Sequence, residues 1–132
     1  VIYGNVLNST GSIIPLIWNS IKNNSILNLY SEEMTRFVLP INDAIDIIEN
    51  ALQYNGFNII PKIKSAKIID LFDIYKEKFG LKYRVTTPRS GEKIHEIMAS
   101  EEEIVRMKEV KNGIYLKKIF ITILLKTIIS LN

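Results

Sequence analysis

Apolar positions recur along this chain in two rhythms, one at the helical repeat and one alternating as in a strand. Val1 to Leu7 is β-compatible and runs into the turn formers Asn8 to Ser12, which predicts a strand ending in a loop. Ser12 can then cap a short helix over residues 13–22, where Ile13, Ile14, Leu16, Ile17 and Ile21 fall mostly at helical spacing. Pro15 is tolerated in its first turn, and the Asn23-Asn24 pair stops it. Ile26 to Tyr30 alternates as a strand, and Phe37 to Ile41 is a second extended stretch that Pro40 confines to an edge or a strand end. Asn42 caps the clearest helix, with Ala44, Ile45, Ile47, Ile48, Ala51 and Leu52 on its apolar face.

Gly56 ends that helix, and Phe57 to Ile60 reads as a short strand. Ser65 is expected to open another amphipathic helix through Ile68, Leu71, Phe72, Tyr75 and Phe79, stopped by Gly80, and Tyr83 to Thr86 is again strand-like. After Pro88-Arg89-Ser90-Gly91, a short helix is predicted from Glu92 to Met98. Ser100 and Glu103 form a capping box for a last helix ending near Asn112-Gly113. Strands and helices alternate throughout, so the class is α/β or α+β.

Length and composition narrow the function. The chain has 132 residues, enough for about one domain, and with 47% hydrophobic and 23% charged residues it can bury a core. The complete absence of cysteine excludes a disulfide framework, a zinc-thiolate site and a cysteine nucleophile, and makes a reducing compartment, the cytoplasm, the default expectation. The net charge of +3 sits in the C-terminal part: residues 104–132 carry Arg106, Lys108, Lys111, Lys117, Lys118 and Lys126 against Glu109 alone, while residues 1–103 are net acidic. A nucleic-acid groove in the main body is therefore not expected. The apolar run from Ile119 to Leu131 is interrupted by Lys126 and short of the roughly 20 residues of a spanning helix, so no transmembrane helix and no membrane contact are expected from it.

Most of the familiar catalytic chemistry is missing. The glycines stand far apart, at 4, 11, 56, 80, 91 and 113, so no Gly-rich turn can gather amides around a pyrophosphate. His95 is the sole histidine, which removes a two-histidine metal site, and beside Glu92 and Glu96 it reads as an ordinary surface residue. Asp43, Asp46 and Glu49 read as the solvated face of their helix rather than as a metal site, and Glu101-Glu102-Glu103 as favourable helix N-terminal charge. No metal ligand set and no catalytic residue emerge. Two arginines stand out because each lies in a loop at a strand boundary, Arg36 in Met34-Thr35-Arg36-Phe37 and Arg89 in Arg89-Ser90-Gly91-Glu92-Lys93. A guanidinium fork suits a phosphate, and a nearby carboxylate can accept hydrogen bonds from a pair of vicinal sugar hydroxyls.

At these residues the sequence resembles the C-terminal part of the extended short-chain dehydrogenase/reductase family, specifically the UDP-N-acetylglucosamine 4,6-dehydratases of polysaccharide and glycan biosynthesis. The blocks are Tyr3-Gly4-Asn5-Val6-Leu7, Ser9 with Gly11 to Leu16, Met34-Thr35-Arg36-Phe37, Pro61-Lys62-Ile63 with Ser65 and Lys67 to Leu71, and Arg89 with Gly91 to Met98. They occur in the family's order over about residues 3–103. Ile2, Thr10 and Ser90 stand where the family usually has Arg, Arg and Pro, and the likeness fades beyond about Lys111.

The resemblance implies a fold: the C-terminal portion of a Rossmann-type enzyme, a small mixed α/β substrate-binding lobe without the Gly-rich cofactor-binding half. Residues 1–7 would end the last Rossmann-domain strand, 8–110 form the nucleotide-sugar lobe, and 111–132 a diverged basic and apolar tail. It also implies roles. Arg36 and Arg89 would hold the UDP pyrophosphate and Glu92 the ribose hydroxyls, Asn5 would reach the sugar or its phosphate, the loop from Ser9 to Pro15 would wall the pocket, and Asn28 would border the uracil. NAD(P) belongs to the complete enzyme and is not expected on this chain alone, since no tyrosine here has a lysine four residues later. The expected ligand is UDP-N-acetylglucosamine, and the expected protein partner a complementing Rossmann-domain chain or a second copy. The chain thus reads as a fragment or half of a split enzyme, or alternatively as a catalytically dead remnant serving at most as a binding module.

Overall fold

The computed structural model describes residues 1–110 and 114–118. Its elements in chain order are α1 (Ile13–Lys22), β1 (Ile26–Leu29), β2 (Thr35–Val38), α2 (Ile41–Ala51), β3 (Phe57–Pro61), β4 (Lys64–Lys67), α3 (Ile68–Phe79), β5 (Lys82–Val85), α4 (Glu101–Ile104), β6 (Lys108–Val110) and β7 (Ile114–Lys118). The expected tail from Ile119 onward, with residues 111–113, lies outside the described residues.

The strands form three small sheets. β1 and β5 are parallel, with Asn28 opposite Arg84. β2 and β4 are antiparallel, with Thr35 opposite Lys67. β7 lies between β3 and β6, antiparallel to both. Residues 1–7, expected as a strand, make only a parallel bridge between Val6 and Leu39, with Ile2 N–H donating to the Ile59 carbonyl at 2.8 Å. This segment thereby spans from β2 to β3.

The main core lies where α1 and α3 meet β1 and β5. Ile17, Leu29, Met34, Ile68, Phe72 and Leu81 are buried together there, which removes their apolar surface from water. Phe72 and Tyr83 meet edge to face at 5.2 Å. Gly80 ends α3 in the left-handed region at φ 70°, its N–H donating to the Lys76 carbonyl while Leu81 N–H reaches Tyr75. That turn sends Leu81 into the core and starts β5.

Several expected helix limits move, most because a long-range partner claims the backbone. The helix predicted from Ser65 begins at Ile68, since Lys64 to Lys67 pairs with the free edge of β2 instead. Residues 92–98, predicted as a helix, form bends and irregular backbone, with the Ile94 carbonyl accepting from Thr35 N–H. The Ser100–Glu103 capping box is present, yet its helix stops at Ile104 rather than near Asn112, and Lys108 to Val110 joins β7. Pro40, not Asn42, holds the N-cap position of α2, and Ile41, expected as the end of a strand, is its first residue. Only Ala44 of its apolar face is buried, while Ile41, Ile45, Ile48 and Leu52 are exposed. No helix among the described residues is long and apolar enough to cross a membrane.

Candidate functional site

A cavity of about 570 Å³ opens where the segment 5–7, the start of α1, β1, the β2 strand and α3 approach one another. Its volume lies within the range of about 300–1,000 Å³ usual for small-molecule sites. The floor is core surface, including Leu29, Met34, Ile68 and Phe72, and polar groups enter from several separate segments. All of residues 26–30 line it, so the cavity runs along β1, which pairs only with β5 among the described residues.

Of the residues singled out in the sequence, Asn5, Asn28, Arg36 and Glu92 line this cavity although up to 87 positions separate them. Ser9 and Pro15 do not line it: Ser9 closes a turn, its Oγ donating to the Val6 carbonyl at 2.8 Å, and Pro15 sits in the first turn of α1. Arg89 stands one step away, exposed, with its guanidinium carbon 5.1 Å from the Tyr30 ring centre, and Tyr30 is itself a cavity residue.

Arg36 is the most constrained of these groups. Its Nη1 donates to the carbonyls of Thr35 and Ile94 at 2.8 and 3.2 Å, its Nη2 reaches Glu92 Oε1 at 3.3 Å, and its Nε lies 3.5 Å from Glu96 Oε1. Every guanidinium nitrogen is engaged, with only 18% of the side chain exposed. With its fork taken up by two carboxylates and two carbonyls, Arg36 as it stands anchors the segment 92–96 rather than offering a free fork to an anion. Glu92, with one oxygen on Arg36, keeps acceptor capacity at the cavity wall.

Three contributors were not apparent from sequence. Glu96 was read as the neighbour of a surface histidine, Arg84 as a strand residue, and Tyr30 as a strand end. None carries a local signal, because each acts through a partner more than 50 positions away. Lys67 also lines the cavity, its Nζ 3.2 Å from Glu33 Oε2. His95 is exposed as expected, and its Nδ1 lies 2.8 Å from Thr35 Oγ1. Asp43, Asp46 and Glu49 are all exposed, and no group of acidic, histidine or cysteine residues suited to a metal ion occurs among the described residues. Among the described residues, Gly11, Gly56, Gly80 and Gly91 take positive φ singly, at four separate turns.

The chain is similar to several known proteins. It is 36% identical over 121 residues to a protein described as uncharacterized membrane protein MJ1061 from Methanocaldococcus jannaschii, covering 83% of this chain and 36% of that one. It is 33% identical over 114 residues to a UDP-glucose 4-epimerase of Rickettsia bellii, with 83% of this chain and 33% of the relative covered, and 34% identical over 112 residues to that of Rickettsia felis. The chain therefore spans about a third of the length of these relatives. It superposes on the X-ray structure of Pen from Bacillus thuringiensis with a TM-score of 0.75 and 26% identity, over 88% of this chain and 37% of Pen. The expected fold class, mixed α/β, is the one observed, with small parallel and antiparallel sheets, and the likeness to part of Pen is consistent with a partial Rossmann-type lobe. A family model described as polysaccharide biosynthesis protein matches residues 1–118 and so takes in every element around the cavity; the chain belongs to that family.

Proposed function

We propose that this chain is the nucleotide-sugar-binding lobe of an epimerase/dehydratase enzyme of polysaccharide biosynthesis, similar to a UDP-N-acetylglucosamine 4,6-dehydratase and part of a longer or two-chain enzyme. The observation that carries the reading is convergence: Asn5, Asn28, Arg36 and Glu92 come from four separate segments to the wall of one cavity. In this reading Asn28 borders the uracil, Glu92 accepts from the ribose hydroxyls, and Asn5 reaches the sugar or its phosphate. Arg89 supplies positive charge toward the diphosphate, and Arg36 holds Glu92 in place. The apolar floor excludes water from beneath the ligand. The NAD(P) of the complete enzyme belongs to a part of the protein other than these residues, and no chemical step is assigned to this lobe.

A 4-epimerase is the second reading, favoured by the description of the Rickettsia relatives as UDP-glucose 4-epimerases. Calorimetric titration of the purified chain with UDP-N-acetylglucosamine and with UDP-glucose tests both. Tighter binding of the N-acetyl sugar supports the dehydratase-like reading, and tighter binding of UDP-glucose supports the epimerase-like one. Affinity should fall about tenfold in Arg89→Ala, the loss of one charge-assisted contact. A folded chain that binds neither sugar nucleotide supports instead a remnant without a live site.

A further inference from the structure

We propose that Arg84 fixes the polarity of the Asn28 amide and thereby makes the cavity wall at Asn28 a hydrogen-bond donor, one that selects a base carbonyl over a base amine. The inference rests on the uridine-nucleotide reading above and goes beyond it by naming what discriminates the base.

Asn28 and Arg84 are register partners on the parallel strands β1 and β5. Arg84 Nε donates to Asn28 Oδ1 at 2.9 Å. An arginine side chain has donors only and stays charged at any pH a protein survives, so the asparagine oxygen must face it. Rotating the amide by half a turn would set its N–H groups against the guanidinium, donor against donor. Asn28 Nδ2 has no hydrogen-bond partner among the described residues, while Asn28 is half-buried and lines the cavity. Just beyond the end of β1, Tyr30 also lines the cavity and carries Arg89 over its ring. Arg84 in β5 and Arg89 in the loop after it thus each meet a cavity residue, Asn28 and Tyr30.

An amide nitrogen held outward in this way pairs with the O4 carbonyl of uracil. The 4-amino group of cytosine would meet it donor to donor, leaving both unpaired in a partly dry site. Arg84 is a positioning residue here, because it touches the ligand only through Asn28.

The test is calorimetric titration of the whole chain with UDP and with CDP, in the wild type, Arg84→Ala and Arg84→Lys, with thermal unfolding to show that each is folded. The wild type is expected to bind UDP about tenfold more tightly than CDP, the cost of one mispaired donor at a half-buried position. In Arg84→Ala the two nucleotides should come within about twofold of each other as the amide becomes free to turn, and Arg84→Lys, which keeps a donor, should retain the preference for UDP. A preference unchanged in Arg84→Ala overturns the role of Arg84 and leaves the nucleotide reading standing. Wild-type protein that binds neither nucleotide overturns both. If Arg84→Ala does not fold, Asn28→Asp reads the same property at constant size: its acceptor-only carboxylate should abolish the advantage of UDP, and an undiminished advantage overturns the proposal.

Discussion

Arg36 and Glu92, 56 positions apart in the chain, meet at 3.3 Å between Nη2 and Oε1, and this pair ties the segment 92–96 to the start of β2. The tie is reinforced by Thr35, whose N–H donates to the Ile94 carbonyl at 3.0 Å and whose hydroxyl meets His95. A partly buried guanidinium with four partners contributes more than a surface ion pair, because its removal takes a donor from two carboxylates and two carbonyls at once, although the Ile94 carbonyl keeps the Thr35 amide.

Arg36→Ala is therefore expected to lower stability by about 2 kcal/mol and to release the segment 92–96. Denaturant unfolding reads the first effect, and hydrogen exchange at the Thr35 amide, which donates into that segment, reads the second. Arg36→Lys should recover only part of the loss, since an ammonium cannot span the two carboxylates and the carbonyls in one plane. Unaltered exchange at Thr35 in Arg36→Ala would refute the clamp.

Gly4 passes so close to β2 that a β-carbon there would lie 2.4 Å from Phe37 Cβ. The near atom is a β-carbon that every residue but glycine has, so Phe37 cannot move aside by changing rotamer. Gly4→Ala should cost about 1–3 kcal/mol as an overpacked contact, measured as a fall in the midpoint of chemical denaturation. Phe37→Leu should fail to rescue it.

Tyr83 donates its hydroxyl to Asp73 Oδ1, and that hydrogen bond, with burial and the Asp73 charge, pushes the phenol up to about 12 from its ordinary 10.0. A raised folded-state pKa means that the folded protein keeps a proton the unfolded chain has lost. The stabilisation is fully present below about pH 10 and disappears as pH rises toward 12. Absorbance at the tyrosinate wavelength should show one tyrosine ionising late, and this late phase should vanish in Tyr83→Phe. A late phase that persists in the variant would assign it to another residue.

The exposed stripe of Ile41, Ile45 and Ile48 on α2 makes the purified chain prone to associate, since contiguous apolar surface is costly in water. Light scattering should show self-association that rises with concentration. The double substitution Ile45→Lys and Ile48→Glu should reduce it without lowering the unfolding midpoint, because neither side chain belongs to the main core. Monodisperse monomer in the unmodified chain at high concentration would refute this.

Local signals were legible where they act over one helical turn. The helix over residues 13–22 coincides with α1, and the stop at Gly80 is the left-handed cap of α3. The capping box at Ser100 and Glu103 is present with both hydrogen bonds. Each depends on residues within four positions of one another, so composition and spacing suffice to read it. Part of the cavity wall was legible for a different reason: Asn5, Arg36 and Glu92 stand in motif blocks whose order carries the family resemblance, and the chain belongs to the broader polysaccharide biosynthesis family.

By itself, then, the sequence determined the α1 and α3 helical faces, the strands β1, β3 and β5, the mixed α/β class and some of the polar residues around the cavity, Asn5, Asn28, Arg36 and Glu92. Tertiary structure alone decided which backbone groups those segments pair with and what each site side chain is bonded to. Residues 65–67 have the composition of a helix start but lie against an open strand edge, and backbone donors paired to β2 cannot also open a helix. Arg36 looks like a free cation in the chain and is saturated in the fold, and Arg84 is anonymous until β1 and β5 come into register. Partners 56 positions apart leave no periodic trace, because their distance is set by packing and not by the local conformation of either segment.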